Sequence, residues 1–195
     1  MDKLEQIQRL VKELYESNQP GRDEIADWIY EHHVVVTAAY AADLTVEFGG
    51  DADYAVAGAL MHDLGDAVMS RFADDFDEKS YAIAKDFMTK AGYTPDEQDF
   101  MIEEVIKPHS CHKGDRQPTD VNGKILATAD AMAHLCTDAY LYWCWSHMFR
   151  SLTLADYKAS ALKKLERDFN DKIQWDEVRE RVRPDCDALV RVFSK

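Results

Sequence analysis

Residues 31–50, EHHVVVTAAYAADLTVEFGG, hold the choice on which the fold turns. The β-branched run Val34-Val35-Val36 reads by itself as a short strand, because branching at Cβ restricts the side chain and suits a pleated backbone. Helix formers flank it on both sides, from about Asp23 to Phe48, and no turn residues bound it. The segment is therefore expected to be helical throughout. Gly49-Gly50 closes it, as glycine does where a helix ends in the left-handed region.

The same helical pattern extends outward in both directions. Leu4, Ile7, Val11 and Leu14 recur at three- and four-residue spacing, one apolar stripe on a first helix that Asn18-Gln-Pro-Gly21 stops. Asp51 caps a further helix running through Ala57, Ala59, Leu60 and Met61 to His62-Asp63. Thr94-Pro95-Asp96-Glu97 is a capping box with proline at the first helical position. Its helix should end near Lys107-Pro108, because the residue before proline disfavours the helical region. His109 to Thr119 (HSCHKGDRQPT) reads as a loop, and a long helix is expected from about Asp120 to Arg150. Two amphipathic helices complete the chain, one built on Ala161, Leu162, Leu165 and Phe169, the other on Val178, Val182, Leu189 and Phe193. No repeat, low-complexity tract or long linker divides the sequence, so one all-α domain over residues 1–195 is expected.

Composition narrows the classes of function. The chain has 195 residues, 46% of them hydrophobic and 31% charged, a normal globular balance. Its net charge of −14 argues against binding a nucleic-acid polymer, whose phosphates demand a basic face, and against anionic membrane surfaces. The opening MDKLEQIQRL lacks a secretory pattern, and the apolar run from Ala131 to Trp145 is too short to span a bilayer. A soluble, cytoplasmic protein is the expectation. The four cysteines (Cys111, Cys136, Cys144, Cys186) form no CxxC pair and read as core thiols.

Against this background four residues carry chemistry. His33 should lie mid-helix, His62-Asp63 follows the apolar run Ala55 to Met61, and Asp130 sits in ILATADAMAHL. Each interrupts an apolar face, and a polar group buried without a partner costs a few kcal/mol. They are either satisfied core residues or ligands; two imidazoles and two carboxylates suffice to hold a divalent cation and leave positions open for water. His134 and His147 read as core or surface residues, the acidic run Asp74 to Glu78 as a solvated loop and helix start. The aromatic cluster Tyr140, Tyr142, Trp143, Trp145 and Phe149 reads as core or as an oligomer face, so a homodimer is one expectation.

HHVVVTAAYAADL, then AGALMHDLGD, then KILATADAMAHL resemble the HD-domain superfamily of metal-dependent phosphohydrolases, whose signature is a histidine, a His-Asp pair and a distal aspartate on separate helices of an all-α fold. The resemblance covers about residues 23–150, and the tail KLERDFNDKIQWDEVRERVRP (164–184) is similar to that of small HD proteins. It implies a single-domain helical HD fold and His33, His62, Asp63 and Asp130 as metal ligands. His32 competes with His33; on a helix the two point about 100° apart. His33 is preferred because Thr37, Ala41 and Leu44 then share its face, as small and apolar residues do in the family. A mixed nitrogen and oxygen shell suits one Mn, Fe, Ni, Co, Zn or Mg ion.

Asp66 stands where many HD proteins carry lysine and where alarmone hydrolases and deoxynucleotide 5′-phosphatases of the superfamily carry glutamate. The resemblance implies a catalytic carboxylate, beside Asp63, that handles a proton at the water; the alternative is a solvated side chain just past Gly65. The segment Lys107 to Arg116 is basic in an acidic chain, which suits a phosphate ester. His109, Lys113 and Arg116 are the candidate substrate-binding residues, and His109 with His112 could recruit a second metal. A phosphohydrolase acting on a small phosphorylated metabolite or nucleotide is thus the first reading. Its rivals are a di-iron HD-fold oxygenase and a ligand-binding HD module without turnover.

Overall fold

The computed structural model of the chain describes residues 2–112, 116–143 and 153–195. No strand forms among the described residues. α1 (Lys3–Glu16) is capped by Asp2, whose carboxylate accepts from the Glu5 amide while the Glu5 side chain accepts from the Asp2 amide. It buries Ile7, Val11 and Tyr15 against the rest of the bundle.

The stretch from residue 26 to 48 is helical as expected, but in three pieces. They are α2 (Ala26–Ile29), one π turn (Tyr30–Val34) and α3 (Val35–Phe48). Its buried residues, Ala26, Ile29, His33-Val34, Thr37-Ala38, Ala41 and Leu44, recur at helical spacing rather than alternating as a strand's would. Gly49 closes α3 at φ 75°, the left-handed region. α4 (Ala52–Met61), capped by Asp51, is buried without a break from Ala55 to Met61. It ends one step sooner than expected: His62 is its last half-helical residue, and Leu64–Ala67 form a 3-10 turn.

α5 (Phe76–Lys90) and α6 (Pro95–Phe100) follow, the latter starting at the Thr94–Glu97 capping box. α6 passes into a π turn (Met101–Ile106) and then a 3-10 turn (Lys107–Ser110), so the basic loop is helical in its first residues. α7 (Val121–Leu135) is the centre of the bundle, packed on α3 and α4 and buried over most of its length. The long helix expected to reach Arg150 instead divides. The Thr137 hydroxyl donates to the Ala133 carbonyl (2.5 Å) and accepts from the Ala139 amide (3.2 Å). A side-chain oxygen thereby replaces the helical ladder, and α8 (Ala139–Trp143) starts afresh. Trp145, His147, Phe149 and Cys144 lie outside the described residues.

α9 (Leu154–Arg167), a π turn (Asp168–Lys172) and α10 (Asp176–Phe193) return over α7. The Thr128 hydroxyl of α7 holds this return, donating to the Lys172 carbonyl (3.3 Å) and accepting from the Gln174 amide (3.1 Å). Cys111, Cys136 and Cys186 are free thiols. Among the described residues no helix is long and apolar enough to cross a membrane.

Candidate metal centre

Helix ends and irregular turns deliver several side chains to one place. The π turn before α3 carries His33, the end of α4 carries His62 and Asp63, and α7 carries Asp130. The 3-10 turn after Ile106 brings His109, and the π turn after α9 brings Lys172. An extra residue in a helical turn re-aims the side chains around it, which is why such turns collect at functional sites.

The four sequence-predicted ligands converge. His33 Nε2 lies 3.1 Å from His62 Nε2, 3.5 Å from Asp63 Oδ2 and 3.3 Å from Asp130 Oδ1. His62 Nε2 lies 3.4 Å from Asp63 Oδ2 and 3.9 Å from Asp130 Oδ1. All four residues are buried. His32 is exposed, its ring stacked on Trp28, so the choice between the adjacent histidines falls on His33 geometrically.

The donor set fits a divalent cation. His62 Nδ1 donates to the Ala59 carbonyl (2.7 Å), which leaves Nε2 with its lone pair toward the cluster. Asp130 Oδ1 is buried, faces ring nitrogens and accepts no hydrogen bond from the described residues. A buried carboxylate oxygen of that kind calls for a cation. Burial lowers the His33 pKa and pushes those of His109 to about 3 and His134 to about 4. All three imidazoles are thus neutral at pH 7, the form that binds metals. Burial would raise the Asp130 pKa, but the facing His134 ring, the Lys172 amine and the rings of His33 and His62 outweigh it and hold the carboxyl well below the usual range.

Asp66 departs from expectation. On a continued helix it would share a face with His62, but the 3-10 turn rotates it away. It is fully buried and does not line the cavity. Arg71 takes both of its oxygens, with Nε 3.1 Å from Oδ1 and Nη2 bonded to Oδ2, while the same Nη2 donates to Asp63 Oδ2 at 2.6 Å. Burial raises the Asp66 carboxyl to about 7 even against the pull of Arg71. Asp23 fixes the start of Arg71, accepting its amide at 3.1 Å.

The centre opens on a cavity of about 630 Å3 that Trp28, Phe76 and Tyr81 line together with Arg71, Lys164, Arg167 and Lys172. Of the basic loop, His109 approaches the cluster, its Nε2 3.9 Å from Asp130 Oδ2 and its Nδ1 donating to the Ile106 carbonyl. Arg116 lines the cavity but is exposed and paired with Glu104; Lys113 lies outside the described residues.

Sequence reasoning passed over several contributors. His134 is part of the site: its ring stacks on His33 (4.8 Å between centroids), and Nε2 lies 3.4 Å from Asp130 Oδ1. Its other nitrogen is 3.1 Å from the fully buried Asp168, which also binds Lys164 (2.9 Å) and accepts from the Tyr140 hydroxyl (2.7 Å). The interval of four from Asp130 signalled His134, since those positions share a helix face. Lys164, Arg167, Asp168 and Lys172 carry the same kind of signal, one polar edge at helical spacing.

A family model described as the HD domain matches residues 30–135, more than half of the chain and all four convergent residues. No curated protein and no solved structure matches the chain.

Proposed function

The chain belongs to the HD-domain superfamily of metal-dependent phosphohydrolases, and we propose that it hydrolyses a small phosphate ester, such as a nucleotide, with water activated at the His33, His62, Asp63 and Asp130 centre. One observation carries this reading. In a chain of net charge −14, six cationic side chains among the described residues (Arg71, Lys107, Arg116, Lys164, Arg167 and Lys172) line the same cavity as a donor set that could hold a divalent ion.

Those four residues would hold a divalent ion, which would supply Lewis-acid polarisation of a phosphoryl oxygen and lower the pKa of a water. The chain's own residues do the rest. Arg71 lines the cavity beside Asp63, and a guanidinium's fork of donors matches phosphate oxygens. Asp66 acts through Arg71 as a positioning residue: it holds the guanidinium by two contacts from outside the cavity. Lys164, Arg167 and Lys172 add positive charge for the remaining phosphate oxygens. His109, with Nδ1 committed to Ile106, offers an unprotonated Nε2 that accepts a proton in a hydrogen bond from water or substrate.

The test is a panel of nucleotides and other phosphate mono- and diesters. Treatment with EDTA should abolish phosphate release, and adding back Mn, Fe, Ni, Co, Zn or Mg should restore it. Asp63→Ala should be slower by about 100-fold or more. Turnover that survives stripping, or full turnover in Asp63→Ala, contradicts the reading.

A further inference from the structure

Asp130 divides its two oxygens between two neighbourhoods. Oδ1 faces ring nitrogens of His33, His62 and His134 at 3.3, 3.9 and 3.4 Å. Oδ2 lies 3.9 Å from His109 Nε2 and is bonded by the Lys172 ammonium. His62, His109 and Asp130 also bring one possible ligand atom each within 4.8 Å of one another. His62 Nε2 already belongs to the first centre and its Nδ1 to the Ala59 carbonyl, so His109 Nε2 and Asp130 Oδ2 are the donors left for a second cation, and a carboxylate that bridges two ions must give one oxygen to each. Here the second oxygen is taken.

Lys172 is built into that position. It is 2% exposed, ends the π turn after α9, and its carbonyl accepts from the Thr128 hydroxyl. A buried ammonium persists only where an anion meets it, and Asp130 Oδ2 is that anion. A dication entering between His109 Nε2 and Asp130 Oδ2 would meet this positive charge at close range in a poorly screened interior.

We propose that Lys172 is a resident cation filling the second metal position, so that the chain holds a single ion on the Oδ1 side of Asp130. The inference rests on the metal centre proposed above. A position filled by an amine leaves no place for an iron pair, which sets the di-iron oxygenase reading aside.

Metal-free protein titrated with Mn2+ tests this by a count that needs no substrate. Bound ions per chain are measured after equilibrium dialysis, and electron paramagnetic resonance reports whether neighbouring ions couple. Wild type should bind one uncoupled ion, and Lys172→Ala should bind two with an exchange-coupled spectrum. Lys172→Gln removes the charge with a smaller change of volume and serves if circular dichroism shows the alanine variant unfolded; it too should take the second ion. Two ions in wild type, or one ion in a folded variant, overturns the proposal and leaves the metal centre standing. No ion in wild type overturns both.

Discussion

At the scale of the residue, adjacent side chains have opposite fates. His33 is buried among carboxylates, while His32 is exposed and stacked on Trp28. His33→Ala should therefore lower metal affinity at least about tenfold, whereas His32→Ala should leave it unchanged, as read by dialysis and elemental analysis. Asp66 gives a different separation. It touches Arg71 rather than the donor cluster's open side, so Asp66→Asn should retain one ion per chain yet slow turnover by about 10–100-fold. Loss of the metal in that variant would make Asp66 part of the centre itself. The four predicted donors were legible because each interrupts an apolar helix face. Arg71 was not, since it follows an irregular turn where no periodicity reports which way a side chain points.

At the scale of the element, the sequence told helix from strand and where α4, α6 and α7 begin, but not where the helices deform. The helical period across residues 33–44 and the caps at Asp51 and Thr94 were readable, whereas the Asp2 cap of α1 was not read. The π turns were not, because local composition barely distinguishes them from the α-helix they interrupt. Lys172 lies 42 residues beyond Asp130 and reaches it only through packing of α9 and its π turn on α7. Close approach of elements has one sharp test. A Cβ on Gly123 in α7 would lie 2.4 Å from the Glu104 carbonyl oxygen, backbone that cannot step aside cheaply. Gly123→Ala should cost about 1–3 kcal/mol, measured as a shift in urea midpoint at unchanged slope. An unchanged midpoint would mean that α7 and the turn at 101–106 sit further apart.

At the scale of the whole molecule, the C-terminal third closes the cavity that the preceding helices open, and it does so with charge. Asp168 is fully buried; burial would raise its carboxyl, but Lys164 and His134 hold it well below the usual carboxylate range. A pKa depressed in the folded state gives stability that is fully present above the unfolded value, about 3.9, and lost progressively as pH falls from there toward the lower folded value. Wild type should therefore lose stability steeply below about pH 5, and Asp168→Asn should flatten that acid limb while being less stable at pH 7. Parallel acid limbs in the two proteins would remove Asp168 from the account. The most direct measurement of the central claim is an anomalous-diffraction map of crystals grown with Mn2+. It should show a peak within about 2.0–2.3 Å of His33 Nε2, His62 Nε2, Asp63 Oδ2 and Asp130 Oδ1. A peak that leaves out the His62-Asp63 pair, or no peak in protein that still releases phosphate, would contradict it.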